Sequence, residues 1–504
     1  MDALNRLNTL ITEVVDLQHA ASLLEWDEQV YMPPGGASTH GDMVATIRKI
    51  AHEKFTSDAV GRALEEAGRN GTADGGESDS EKLLAVTAHE YDKALRVPAD
   101  FVAEQAQAVS AAQHAWAAAR QQSDFAAFQP YLEKVIELKR RYVGFFPAGA
   151  HPYDVLLDDF EPSMTTAEVH ELFGVLRPRQ VALIRELTAQ PQVDDGFLHQ
   201  PYAEAGMTEF ARKVVTAIGF DWTRGRQDRS VHPFATGIGP NDVRITTRFV
   251  EREPLSLLFG LIHETGHALY EQGIAPAFAR SLLGNAASLG VHESQSRLWE
   301  NLVGRSRAFW DFFYPALQEQ FASQLGQVNL DQFYRGINRV NPTLIRVESD
   351  EATYNLHIML RVEMEIGLLD GTIPVADLPE LWRTRMQEYL GVVPTTDATG
   401  VLQDIHWSIG AFGYFATYTL GNVISAQLWA AYLHAHPDRD DQIRAGDFAP
   451  LLDWLRTNIH QHGRKYKAQE IVQRVTGSRI DPQPYLEYLE RKYRPINGID
   501  RAAS

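Results

Sequence analysis

The sequence predicts a mainly α fold with one small β-sheet near its centre. Long stretches place apolar residues at helical spacing, beginning with Leu4, Leu7, Ile11, Val14, Val15 and Leu23. Several stretches are rich in Ala and regularly spaced charges and poor in β-branched residues. Alternating, β-branched character is confined to about 229–249, chiefly Asp242 to Val250.

The first helical run, 3–24, continues towards Trp26 and Asp27 and is stopped by Met32-Pro33-Pro34-Gly35-Gly36, a cluster of breakers. A second helix is expected from Asp42 to Glu65. Residues 67–79 are polar and Gly-rich and read as an exposed loop tip. The patterns at 80–95, 99–121 and 125–146 read as helical scaffold. Residues 153–162 read as a loop or short helical turn whose acids face solvent. Thr165 opens a helix with Thr166-Ala167-Glu168 as an acidic first turn. Beyond the strand region, helices are expected over 254–272, 286–321, 330–337, 346–367, 376–389, 409–434, 446–459, 466–475 and 482–492. There are no repeats. The expectation is one domain, 1–504, with 1–150 as a helical wall or lid and 151–504 as a catalytic part.

The chemistry concentrates in Leu261-Ile262-His263-Glu264-Thr265-Gly266-His267-Ala268-Leu269-Tyr270, which holds H-E-x-x-H inside an apolar helical run. Positions i and i+4 share a helix face, so His263 and His267 can offer two imidazole nitrogens to one metal ion. Glu264 is beside them, placed to take a proton from a water acidified by zinc. Leu257, Leu258, Leu261, Ile262, Leu269 and Tyr270 would bury the pair, and buried imidazoles need partners. A third ligand is expected from the next helix, where Glu293 and Glu300 are both on offer; the one not used can orient a ligand from behind.

The pair H-E-T-G-H-A-L-Y-E-Q-G and H-E-S-Q-S-R resembles the carboxypeptidase Taq family of metallocarboxypeptidases (family M32). The resemblance extends to His232-Pro233-Phe234, to Asp242-Val243-Arg244-Ile245-Thr246, and to Ile345-Arg346-Val347-Glu348-Ser349-Asp350, where Ser349 replaces the usual Ala. It ends with Gly400-Val401-Leu402-Gln403-Asp404-Ile405-His406-Trp407. These motifs keep the family's order over residues 232 to 407. The resemblance implies a large helical zinc-peptidase (gluzincin-like) fold with a deep central cleft and a small sheet beside the metal. It implies Glu293 as the third ligand, and a homodimer. In such enzymes the sheet edge can take the peptide by strand addition.

Composition sets limits. A formal net charge of −19 argues against nucleic acid and against anionic membrane surfaces as partners. The absence of Cys excludes disulfides, thiolate ligands and a Cys nucleophile. No apolar run is long enough to span a bilayer, and Met1-Asp2-Ala3-Leu4-Asn5-Arg6 lacks the pattern of a signal peptide, so a cytoplasmic enzyme is expected.

A carboxypeptidase must sense a free C-terminal carboxylate, and an Arg fork is the best receptor. Arg346 is the first candidate and Arg244 the second. Oxyanion donors are sought in His406, Tyr414 and Tyr418, of which the resemblance favours His406 and Tyr418, with Tyr414 lining the substrate site. The sequence thus predicts a metal-dependent carboxypeptidase using Zn2+, with Co2+ able to substitute. It would act on peptides with a free C-terminal carboxylate and release single residues. An endo-acting zinc oligopeptidase and a metal-stabilised binding protein are the alternatives.

Overall fold

Helices carry most of the chain in the computed structural model, which describes residues 3–70 and 77–499. Among the described residues, one three-stranded sheet forms, and it immediately precedes the H-E-x-x-H helix. Among the described residues, no helix is long and apolar enough to cross a membrane. The chain divides into two compact units, each assembled from three separate segments. The boundary expected at residue 150 falls inside the second of them.

The first unit comprises 1–95, 194–336 and 428–479. Its opening helix, Ala3–Val30, buries Leu7, Ile11, Val14 and Val15 on one face and ends before the Pro33-Pro34 pair. The single helix expected from Asp42 to Glu65 is two, Ala37–Phe55 and Asp58–Asn70. They part at Thr56-Ser57, where Ser57 Oγ accepts from the Val60 amide instead of leaving it to the helix ladder. Of the expected 67–79 loop, residues 71–76 lie outside the described residues, and 67–70 are helical.

The strands are β1 (Gly225–Arg229), β2 (Ala235–Gly237) and β3 (Val243–Thr247), in the order β1-β3-β2. β3 pairs parallel with β1 and antiparallel with β2. Its Val243 and Ile245 are fully buried, and the strand packs on the helix Pro254–Gly273. That leaves β2 as an edge close to the metal helix. The helix Glu204–Ala217, which packs on the same helix, was not expected from the sequence, and neither was Arg439–Arg444.

The second unit comprises 96–193, 337–427 and 480–504. Helices Ala99–Gln122, Phe125–Val143 and Thr166–Thr188 match expectation. Thr165 and Glu168 form a reciprocal capping box at the start of the last of these. Residues 153–162 do contain a short helix, Pro152–Asp158, and its Asp154 is not simply solvated: the carboxylate accepts from the Thr166 amide and hydroxyl.

Glu351–Asp370 is the helix the second unit is built around, buried along nearly its whole length. The sequence suggested a helix over 346–367. Instead Arg346–Glu348 is a separate 3-10 turn, and the helix begins after Asp350. The Asp350 carboxylate accepts from the amides of Ala352, Thr353 and Asn341 and from the Thr353 hydroxyl, so it ends one element and starts another. A further run expected over 409–434 is helical only as Ala416–Ala435. Residues 410 and 413 are Gly with φ of 71° and 94°, which break the helix and keep 409–415 irregular.

Replacing Asp350 by Ala should cost about 2 kcal/mol, the upper range for a lost N-cap. The denaturant midpoint should fall, and Asp350→Asn should fall less because it keeps an acceptor.

Candidate active site

The helix Pro254–Gly273 is apolar on most of its circumference. Leu257, Leu258, Leu261, Ile262, Leu269 and Tyr270 are all at most 1% exposed. His263 and His267 sit one turn apart with ring centroids 4.9 Å apart. The neighbouring helix Leu289–Arg297 is capped by Ser288, whose hydroxyl accepts from the Val291 amide. The two helices meet at Gly266. A Cβ there would lie 2.6 Å from both Gln295 O and Ser296 Cα. Only hydrogen in place of a side chain permits this spacing, and the spacing is what brings Glu293 to the histidine pair.

His263 Nε2 lies 3.6 Å from Glu293 Oε2, and His267 Nε2 lies 3.4 Å from the same oxygen. Ligands about 2.0–2.1 Å from a tetrahedral metal are about 3.4 Å from one another, so the spacing fits. Tautomers strengthen the case. His267 Nδ1 lies 3.1 Å from His292 O, which can only accept, so the imidazole proton is on Nδ1. Its Nε2 then presents a lone pair to a carboxylate oxygen. Two acceptors facing each other at this distance are relieved by a cation between them. His263 Nδ1 is matched by Glu300 Oε2 at 2.9 Å, which frees its Nε2 in the same way.

The two carboxylates left open by the sequence are therefore distinct. Glu293 faces the Nε2 atoms, and Glu300 stands behind His263. Glu300 lies on a π-type turn, Leu298–Val303, where the partner helix widens. Burial works to raise the Glu300 carboxyl, but the His263 hydrogen bond and the Arg297 charge hold it down at about 2. Burial also opposes ionisation of Glu293, and Arg297 and His263 reverse this and hold it well below the usual range. Burial drops the His267 imidazole to about 3, with the nearby His292 adding to it. His263 moves the other way: burial lowers it, and the charges of Glu293 and Glu300 outweigh burial.

Glu264 is 7% exposed and makes no hydrogen bond or ion pair among the described residues. Burial pushes its carboxyl up to about 7, opposed by His263 and reinforced by Glu293.

Four supporting residues were missed from the sequence. Arg297 Nε donates to Glu293 Oε1 at 2.7 Å and its Nη1 to Glu300 Oε2 at 3.3 Å. Ser296 Oγ donates to Glu293 Oε2 at 3.0 Å. The His292 ring stacks on His267 at 4.4 Å, and Glu271 holds its Nε2 at 2.9 Å. Helical spacing carried the signal, since Glu271 is four residues after His267 and Arg297 four after Glu293.

In the second unit, Arg346 is 6% exposed, and its guanidinium is ion-paired with Asp404 at 2.8 Å. Gln403 Oε1 accepts from the Arg346 amide. His406 Nε2 is 3.2 Å from Tyr418 Oη, while its buried Nδ1 has no hydrogen-bond partner among the described residues. Burial lowers the His406 imidazole to about 4. Tyr414 packs between Phe160, His406 and Tyr418. The loop that carries Asp404 and His406 is pinned by Glu365, which accepts from Trp407 Nε1 and the Gly413 amide, both at 3.0 Å. Arg244, in the first unit, is held by both oxygens of Asp242 and stacks over Trp26 at 4.2 Å.

A family model described as carboxypeptidase Taq (M32) metallopeptidase matches residues 6–493. The chain belongs to the M32 family. It is 40% identical to thermostable carboxypeptidase 1 of Thermus thermophilus over 96% of this chain and 97% of that protein. Against carboxypeptidase 1 of Bacillus subtilis it is 36% identical, covering 96% of each. The crystal structure of the M32 carboxypeptidase from Deinococcus radiodurans R1 superposes with a TM-score of 0.96 at 37% identity, covering 99% of this chain and 100% of that one. M32 membership makes the protein a metallocarboxypeptidase, an enzyme with a metal cofactor acting on peptides.

Gly266→Ala should lower the unfolding midpoint by an amount equivalent to about 3 kcal/mol, because backbone rather than a flexible side chain fills the space. The same variant should retain less bound metal in dialysis against a chelator.

Proposed function

We propose that this M32 enzyme is a zinc-dependent exopeptidase that releases one C-terminal residue per turnover with broad specificity, C-terminal Pro and acidic residues being disfavoured. The observation that carries this reading is the convergence of His263, His267 and Glu293 ligand atoms within 4.8 Å of one another, next in sequence to a buried Glu264 that makes no hydrogen bond or ion pair among the described residues. His263, His267 and Glu293 would hold the metal, an N/O donor set suited to zinc and open to cobalt. When bound, zinc supplies Lewis acidity and brings a water close to ionisation at neutral pH.

In this mechanism Glu264 takes a proton from the attacking water and delivers it to the leaving amine. Its burial favours the protonated form, and the charge of a bound cation favours the carboxylate, so the group can serve in both directions. Arg346 receives the substrate carboxylate. Arg244, already neutralised by Asp242, is the second choice. His406 and Tyr418 donate to the developing oxyanion, and Tyr414 lines the substrate site. The low proton affinity of His406 suits a neutral imidazole donor rather than a fixed cation. The β2 edge offers main-chain groups to an extended peptide. In this reading the chain works as one catalytic domain, with its first helices as a wall. It assembles as a homodimer in the cytoplasm and takes no nucleic-acid or membrane partner.

The test is cleavage of matched free-acid and C-terminally amidated peptides, followed by mass spectrometry after chelation and zinc add-back. Stepwise loss of single residues from the free acid alone is expected, and Glu264→Gln should keep its zinc while kcat falls about 10³-fold. Internal cuts in both peptides would indicate an endo-acting enzyme instead.

A further inference from the structure

Asp404 is shared by two guanidinium groups. Its Oδ1 accepts from Arg346 Nε at 2.9 Å and pairs with Arg346 Nη2 at 2.8 Å. Its Oδ2 accepts from Arg361 Nε at 2.7 Å and pairs with Arg361 Nη2 at 2.6 Å. Arg361 is fully buried, and its Nη1 donates to His357 O at 2.5 Å on its own helix. Arg346 Nη1 donates to Tyr354 Oη at 2.8 Å. The cluster therefore holds two cations and one anion in a place almost without solvent.

The count of charges matters for a substrate carboxylate. Arg346 paired with Asp404 alone would be a neutral dipole, a poor receptor for an anion. With Arg361 also on Asp404, the aspartate charge is already answered, and the group keeps one net positive charge. Geometry agrees with the arithmetic. A guanidinium has five N–H donors. Asp404 occupies the side that carries Nε and Nη2, and Tyr354 takes one hydrogen of Nη1, which among the described residues leaves one donor on each terminal nitrogen. That is the number a carboxylate needs for two parallel bonds.

We infer that Arg361 and Asp404 are positioning residues for recognition of the C-terminal carboxylate: Asp404 fixes the orientation of the Arg346 guanidinium, and Arg361 offsets Asp404 so that Arg346 keeps its full charge. This rests on the reading of Arg346 as the carboxylate receptor. A cluster serving only the fold would need balanced charge, and a buried excess cation is costly unless an anion arrives to meet it.

The experiment measures KM and kcat of the zinc-loaded full chain on a free-acid peptide and its amide. The variants are Arg346→Met, Arg361→Gln, Arg361→Lys and the double variant Arg361→Gln/Asp404→Asn. Arg361→Gln keeps a donor to Asp404 but no charge, and should raise KM for the free acid by at least ~10-fold with kcat little changed, since a unit charge a few Å away is worth at least that near a protein surface. Arg361→Lys retains the charge and should stay close to wild type. The double variant keeps an acceptor for Arg346 and removes the opposing anion, so KM should return towards wild type. A folded Arg361→Gln enzyme with wild-type KM overturns the inference, as does a double variant no better than Arg361→Gln. If Arg361→Gln fails to fold, the double variant and Arg361→Lys decide: near-wild-type KM in both supports the inference, and a raised KM in both overturns it. If Arg346→Met itself keeps both KM and the preference for free acid, the receptor assignment falls first and this inference with it.

Discussion

The approach of two helices at Gly266 is the constraint on which the metal site depends. Gln295 O and Ser296 Cα occupy the space a side chain would need. The contact fixes the helix spacing, and the spacing sets which atoms of the partner helix face His263 and His267. Glu293 then meets the two Nε2 atoms on one side, and Glu300 reaches the far side of His263 through the π-type turn. The supporting hydrogen bonds from Arg297 and Ser296 restrict Glu293 to one orientation. The convergence of the two imidazoles and the carboxylate is a consequence of backbone packing, with side-chain hydrogen bonds as the fine adjustment.

Buried charge follows one logic in both units. The buried carboxylates Glu293, Glu300 and Asp404 are each met by a guanidinium, and a guanidinium can serve two acids or share one. Arg297 bridges Glu293 and Glu300, while Asp404 bridges Arg346 and Arg361. Glu365 differs, because it is met by neutral donors only at hydrogen-bond distance. Burial raises its carboxyl to about 7 despite bonds from Tyr153, Gly413 and Trp407. Its protonated form is thus favoured in the fold. The stability this contributes is full below about 4.5 and is lost as pH rises through 7.

Local signals in the sequence identified much of this architecture. The H-E-x-x-H spacing, the apolar run around it and the helix start at Thr165 with its acidic first turn are set within a few residues, so motif and periodicity reveal them. The M32 motifs added the choice of Glu293, which spacing left open against Glu300. The misreading of 346–367 and the silence on Arg361 share a cause. Asp350 looks like an ordinary helix residue until its bond to the Asn341 amide is seen, and that bond splits the 346–367 pattern into two elements. The role of Arg361 was invisible because its partner, Asp404, is forty-three positions away. Pairings of that range come from tertiary packing, which hydrophobic patterns do not encode. Gly266 was legible as a residue type in the motif but not as a contact, since its meaning depends on Ser296 across the interface.

The central claim is that backbone packing at Gly266 presents three donor atoms to one metal ion. Anomalous diffraction at the zinc edge, from crystals soaked in zinc, tests it most directly. The account predicts one strong peak within about 2.0–2.2 Å of His263 Nε2, His267 Nε2 and Glu293 Oε2, with Glu300 still on His263 Nδ1. A peak bound through Glu300 instead of Glu293, or no ordered zinc at the histidine pair, would contradict it.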